Sequence, residues 1–412
     1  MSYRIVKITT YYRDFLKGYY GAHPHLPGLS YADQYSHLMA QAFGWSDYYA
    51  KNLQSLGIDA HEIVANAEPL QNSWAREHGL NVHGKDIVLE QIKSLKPDVV
   101  FFQDSLIFNS EWIAHLKKEV PSIKLAIGWC CTIFSQEHLK EFHAFDWMFV
   151  CSDNYVKEFT KHGLKTYLLR HAFEESLLKR IPIANTFPQS DCIFLGSFIP
   201  GAGFHDDRQV LVEKILKAGI HMDLYANITS LTTKDLFLRR SAYIVTQGLK
   251  KLGLGTAAKK LPYIQKAYVL TELPRNFGDV TMLEKNSKPP IYGLDMFKAL
   301  SRANIGLNIH GEIAGEYAAN VRLFEVTGVG SCLVTDWKKN LQEIFDVDSE
   351  IVTYKSQEEC IEKLRWLIDH PKECKEIAVR GQRRVLKDHT YKHRAALLHE
   401  IVQNQLKDSN GK

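Results

Sequence analysis

The feature that most constrains the fold of this chain is a rhythm. Short apolar runs such as YRIVKITT (3–10), IDAHEIV (58–64) and DVVFFQD (98–104) alternate with longer amphipathic segments. DWMFVCS (146–152) and TYLLRHAF (166–173) continue the series. Strands separated by helical segments imply parallel pairing, because a parallel connection must cross the sheet and a helix is the usual crossover. The rhythm breaks at LKRIPIANTFPQSD (178–191), which carries two prolines and several turn formers, and restarts at CIFLGSF (192–198). IHMDLYAN (220–227), NIGLNIH (304–310), SCLVTD (331–336) and EIVTYKS (350–356) then serve as strands. At 412 residues the chain exceeds what one core supports, about 250–300 residues. The reading is α/β, with two tandem Rossmann-like, doubly wound domains facing each other across a cleft. They are assigned to residues 1–183 and 184–390, with a C-terminal helix over 391–412.

Two local readings follow from the same pattern. KGYYGAHPHLPGLSYADQ is read as a loop, so that Gly18 to Gly28 overhangs the cleft, and SYADQYSHLMAQAFGWSDYYAKNLQSLG as one amphipathic stretch closed by Gly57. Composition excludes several classes. The net charge of +4 gives no basic stripe of the kind a nucleic-acid binder needs. Seven cysteines at 130, 131, 151, 192, 332, 360 and 374 include no C-x-x-C pair with histidine partners. That scatter fits reduced thiols in a cytosolic protein and no zinc site. The N-terminus lacks a signal-peptide core, and the longest apolar run, LAIGWCCTIF, falls short of the ~20 residues that span a bilayer. A cytoplasmic location is expected. Residues 231–271 stand apart, with eight lysines and arginines from Lys234 to Lys266 against one acid, Asp235. Such a basic amphipathic insertion either packs on the protein or lies peripherally on the inner face of an anionic membrane.

Open α/β sheets bind ligands at the carboxyl ends of their strands. Those ends offer Gly196, Ser197, Asn227, His310 and Asp336 in the second half. A helix predicted over 317–328 carries Asn320, Arg322 and Glu325. Arg322 and Glu325 are three apart and share a helical face. They form either an intrahelical ion pair or the wall of a pocket, where a carboxylate accepts from ribose hydroxyls and a guanidinium holds a diphosphate. In the first half, Asp104 at a strand end is a candidate general base. His23 and His25 in the glycine-containing loop are candidate proton acceptors or exposed loop residues, and His310 is a candidate catalytic group or a core histidine.

The segments YGLDMFKALSRANIGLNIHGEI, NVRLFEVTGVGSCLVTDWKKNLQEIF and RGQRRVLKDHTYKHR resemble the C-terminal domain of group 1 glycosyltransferases, and more narrowly the branch that includes the spore-maturation protein CgeB. The likeness is good over 290–400 and weaker through IFLGSF, KPDVVFFQD and FGWSDYYAKNLQSLG. It implies the GT-B fold and transfer of a sugar from a nucleotide-diphosphate-sugar to a glycan or lipid-linked glycan acceptor, in cell-surface polysaccharide or glycoconjugate synthesis. No metal or other cofactor is implied, since no Asp-x-Asp stands at a strand tip and DVDSE (346–350) lies in a predicted turn. By position, Glu325 matches the ribose-binding glutamate. Gly328 and Gly330 match the turn that lets the backbone approach the nucleotide, and Gly196 and Ser197 the glycine turn near the donor phosphates. Two departures stand out. The partner glutamate's position holds Tyr317, with Glu316 one place off, and the Arg–Lys pair that grips the diphosphate is not evident. His205, Arg208 and Arg322 are the possible substitutes. A nucleotide-sugar epimerase of the same fold and a non-catalytic spore-coat or surface protein are the alternative readings.

Overall fold

The computed structural model describes residues 2–132, 134–181, 190–198, 206–228, 233–253, 264, 267, 273, 280–311 and 315–410. Residues 182–189 of the expected boundary, His205, Lys259, Lys260 and Lys266 lie outside the described residues.

Two six-stranded sheets account for the rhythm. The first contains β1 (Arg4–Thr9), β2 (Asp59–Val64), β3 (Val99–Phe102), β4 (Leu125–Cys130), β5 (Trp147–Val150) and β6 (Thr166–Leu168), ordered β2-β1-β3-β4-β5-β6. The second contains β7 (Ser190–Phe198), β8 (Met222–Ile228), β9 (Ser287–Lys288), β10 (Ala303–Asn308), β11 (Cys332–Asp336) and β12 (Val352–Tyr354), ordered β12-β11-β10-β7-β8-β9. Every strand pairing in these sheets is parallel. Helices cover both faces, so central strands such as Val99–Phe102 and Trp147–Val150 are buried at every position. That is why they read as unbroken apolar runs. In each sheet the order reverses beside the first strand, β1 or β7, which creates a switch point at its carboxyl end.

The last helix, Tyr391–Asn410, returns to the first sheet. Ala395, Leu398, Val402 and Leu406 are buried in the core that holds Tyr3, Tyr49 and Leu53. The Tyr391 ring lies 5.0 Å from that of Tyr48 and 5.4 Å from that of Tyr49. The side chain of Arg394 fastens this crossing. Its Nε donates to the carbonyl of Arg170 at 3.0 Å, and its Nη2 to that of His171 at 3.2 Å, with His389 Nδ1 3.0 Å away.

Four local expectations are corrected. Residues Arg13–Ala22 form a helix, because Phe15, Leu16 and Tyr19 share one buried face. The glycines at 18 and 21 therefore sit within or at the end of a helix rather than in a loop over the cleft. The long stretch from Ser30 to Gly57 divides into helices Tyr31–Met39 and Tyr48–Ser55. Between them Ala42, Gly44 and Ser46 take left-handed φ values of 56°, 58° and 43°, which no helix accommodates. The helix expected over 317–328 begins only at Arg322, leaving Asn320 in the turn before it. Finally, Cys131 and Cys151, at the ends of neighbouring strands with Cα atoms 5.5 Å apart, are joined as a disulfide rather than held as two thiols.

Candidate active site

The carboxyl ends of the two sheets face a cavity of about 1040 Å³. Thr9, Thr10 and Gln103 reach it from β1 and β3, and Gly196, Ser197, His310 and Glu325 from the second sheet and its helices. Parallel pairing aligns all these strand ends on one edge, so residues distant in sequence converge without any special loop.

Helix Arg322–Val329 sets the second-domain wall. Arg322 Nη1 lies 2.8 Å from Glu325 Oε2, and both side chains are largely buried. Burial raises the Glu325 pKa, and the nearby Arg322 works against that rise. An exposed i,i+3 pair contributes about 0.2–0.5 kcal/mol. A cation in the first turn costs a comparable amount against the helix dipole, and burying the carboxylate costs more. The pair is therefore a poor device for stability alone. No side chain caps the helix N-terminus at Val321, and Asn320, Val321 and Arg322 all line the cavity. Uncapped backbone N–H groups there suit an anion.

His310 follows β10 and is fixed by Asp336 at the end of β11. The Asp336 Oδ1 accepts from the backbone N–H of His310 at 2.9 Å and lies 2.7 Å from its Nδ1. Burial pushes the Asp336 carboxyl up, but His310 and Lys338 outweigh it and hold the group below the usual carboxylate value. An ionised Asp336 can only accept, so His310 Nδ1 keeps its proton and donates it in this bond. That leaves Nε2 as the other ring nitrogen, buried and without a hydrogen-bond partner among the described residues. Beside it, the Arg208 Nη1 and Nη2 groups donate to the carbonyls of Ser197 at 3.1 Å and Ile309 at 2.8 Å. Gly196 makes room for this guanidinium and for Phe194; a Cβ there would stand 2.8 Å from the Phe194 ring and 3.6 Å from Arg208. Asn320 is held in place by Asn308, donating from Nδ2 to its Oδ1 at 2.8 Å.

The structure thus brings Gly196, Ser197, Arg208, His310, Asn320, Arg322 and Glu325 together around one cavity. It does not bring all candidates there. His23 ends the helix Arg13–Ala22 and packs against Tyr19 and His37, with centroids 5.3 and 4.8 Å away, outside the residues that line the cleft. Asp104 stands behind the cavity wall, accepting from the Thr10 hydroxyl at 2.6 Å. Gly328 and Gly330 lie on the far end of their helix. Gly328 admits the Phe173 ring, 2.3 Å from where a Cβ would sit, and Gly330 is a left-handed C-cap with φ 89°.

Sequence reasoning missed the aromatic wall of the first domain. Trp45 and Trp129 meet edge to face at 4.7 Å, and Trp45 Nε1 donates to His171 Nδ1 at 3.3 Å. Burial, reinforced by Arg394, drives the His171 pKa down to about 3, so its ring stays a neutral acceptor. Tyr12 projects into the same cavity. The available signal was the tryptophan after each short apolar or glycine-marked run, FGW and IGW.

Comparisons with known proteins agree with this architecture. Residues 257–400 match the sequence family described as glycosyl transferase-like, without singling out the CgeB-like branch. No curated protein sequence matches the chain. Among solved structures, Anabaena Alr3699/HepE in complex with UDP and glucose aligns at a TM-score of 0.56 with 11% identity, covering 98% of this chain and 100% of that one. An alpha-glucosyltransferase in complex with UDP-glucose and DNA aligns at 0.55 with 12% identity, over 98% and 100% of the two chains. A glycosyltransferase from Rickettsia africae aligns at 0.53 with 11% identity, over 98% and 99%. The two facing parallel sheets are the GT-B fold.

Proposed function

We propose that this GT-B chain, whose residues 257–400 match the glycosyl transferase-like family, transfers a glycosyl group from a nucleotide-diphosphate-sugar to a hydroxyl-bearing glycan acceptor. The observation that carries the reading is Glu325, buried at the cavity wall beside Arg322 at the uncapped start of its helix. In this reading Glu325 accepts from the two ribose hydroxyls. Arg322, Arg208 and the helix N–H groups oppose the charge that develops on the departing diphosphate, so the transfer needs no resident metal. Fixed donors of this kind act mainly through transition-state charge. His310 Nε2, oriented by Asp336, meets the donor near its phosphate or sugar. Trp45, Trp129 and Tyr12 offer apolar faces to the acceptor, and Asp104 acts through Thr10 as a positioning residue. UDP-sugars are the first donors to test, because structural neighbours carry UDP and UDP-glucose.

The test is a thermal-shift panel of UDP-, GDP-, dTDP- and CMP-sugars with wild type, Glu325→Gln and His310→Gln. One nucleotide at about 100 times its Kd is expected to stabilise the wild type by about 2.7 kcal/mol. Glu325→Gln should abolish most of that shift, and His310→Gln should lower transfer at least tenfold while keeping nucleotide binding. A wild type that responds to no nucleotide would overturn the reading.

The same chemistry suits a lipid-linked acceptor at a membrane surface. No helix among the described residues is long and apolar enough to cross a membrane. Helix Thr233–Lys251, however, turns Phe237, Ile244 and Val245 to solvent with Arg240 and Lys251 beside them. An exposed apolar face flanked by cations matches an anionic bilayer surface. We expect the protein to sediment with phosphatidylserine-containing vesicles but not with pure phosphatidylcholine. Phe237→Glu combined with Ile244→Glu should remove that binding. Equal sedimentation with both vesicle types would count against the charge component.

A further inference from the structure

A second cavity, of about 320 Å³, opens beside β2, the edge strand of the first sheet, and shares no lining residue with the cleft. We propose that it is a binding site for a small organic ammonium ion, such as an amino sugar or a choline-like amine. Tyr31, Tyr35, Trp74, Asp47, Glu62 and Gln91 are among the residues that line it.

The argument begins with Glu62. Its side chain is fully enclosed, with Oε1 bonded to Lys7 Nζ on the neighbouring strand. Its Oε2 is buried with no hydrogen-bond partner among the described residues. A buried carboxylate oxygen without a donor is costly, and such an atom in a residue that lines a cavity calls for a ligand that donates. Asp47 adds a second carboxylate, largely buried and paired at 2.9 Å with Lys51, whose own side chain is mostly in solvent and can leave. Lys7 is thus the fully buried cation beside these two acids among the described residues, while Lys51 and His61 also line the cavity.

Burial pushes Glu62 up to about 8 despite Lys7, and Asp47 adds to the rise, so at pH 7 a bound cation takes the place of a proton on Glu62. The Tyr31 and Tyr35 hydroxyls are likewise pushed up by burial, with Glu62 contributing. Negative potential between aromatic faces is the environment that recognises ammonium groups, through both hydrogen bonds and cation–π attraction. A neutral polyol could bond to Glu62 Oε2 but would not take the place of its proton. The volume stands near the lower end of ligand pockets, about 300–1,000 Å³, which limits the ligand to one ring or a short chain.

The segment that carries Asp47 is conformationally constrained. Segment 42–47 carries three left-handed residues, two of them, Ala42 and Ser46, not glycine. Strain of this kind persists only where the surroundings fix it. This segment delivers Phe43 and Trp45 to the cleft and Asp47 to the second cavity. Lys7 joins the two regions as well: Nζ donates to Gln103, a cleft residue, at 2.7 Å and lies 5.5 Å from the Trp45 ring centroid.

The experiment is calorimetric titration of the full chain at pH 7 with glucosamine and choline, using glucose as the neutral control. At least one cation should bind ten times more tightly than glucose. Glu62→Gln, which keeps a carbonyl for Lys7, should weaken it tenfold or more. Ser94→Trp, at an exposed position on the cavity rim and away from the Lys7–Glu62 pair, should block it independently. The proposal is overturned if neither cation binds, if glucose binds as well, or if binding survives Ser94→Trp. Because the cavity is separate from the cleft, these outcomes are independent of whether any nucleotide-sugar binds.

Discussion

Lys7→Met is expected to destabilise the protein by about 3–5 kcal/mol at pH 9 and by far less at pH 5, since it strips a buried carboxylate of the buried cation bonded to it. The pH dependence follows from Glu62. In the unfolded chain its carboxyl loses its proton near 4.5, whereas burial in the folded protein raises that point to about 8. Between these values the folded state binds more protons than the unfolded state, so this group's contribution to stability falls as pH rises. Removing Lys7 raises the folded value further and steepens the fall. At pH 5 Glu62 is protonated in the folded variant, and a neutral acid is left where an ion would have been. Urea unfolding of both proteins at pH 5 and pH 9 measures the difference. Equal losses at the two pH values would show that Lys7 acts through packing against Trp45 rather than through Glu62.

Arg394→Ala should cost about 3 kcal/mol, because it removes charge-assisted hydrogen bonds and leaves the carbonyls of Arg170 and His171 without their donor. Burial already depresses the Arg394 pKa, a sign that the guanidinium is held there against its preference for water. The loss should concentrate in the crossing between Asp388 and Tyr391. Hydrogen exchange resolved by residue is the discriminating measurement: helix Tyr391–Asn410 should lose protection before β3 or β4 does. Uniform loss across the first sheet would mean that the helix and sheet open as one unit.

The strands were legible in the sequence because a parallel sheet covered on both faces needs continuous apolar runs. VVFF and WMFV have one plausible use. The Arg322–Glu325 spacing was equally informative, since helical geometry places both on the cavity side. What the sequence concealed was tertiary. The helix Arg13–Ala22 contains two glycines and forms because Phe15, Leu16 and Tyr19 find a core, which moves His23 out of the cleft. Gly328 looked like a close approach to a ligand, and the close approach is real, but its partner is Phe173. The Lys7–Glu62 pair was hidden for a related reason. Each residue sits singly inside an apolar strand, and only the register Lys7 to Glu62 puts them side by side.

The return of helix Tyr391–Asn410 to the first sheet also bears on how the molecule is made. A ribosome delivers residues 4–168 first, yet the surface formed by Tyr3, Tyr49 and Leu53 receives its cover from Leu398, Val402 and Leu406. The first domain must therefore wait, partly uncovered, while the entire second domain emerges and folds. Exposed aromatic surface of that kind is what makes nascent chains prone to mispairing and dependent on chaperones. Vectorial synthesis here runs against the order in which the cores can close, so the second domain is expected to reach its native packing first.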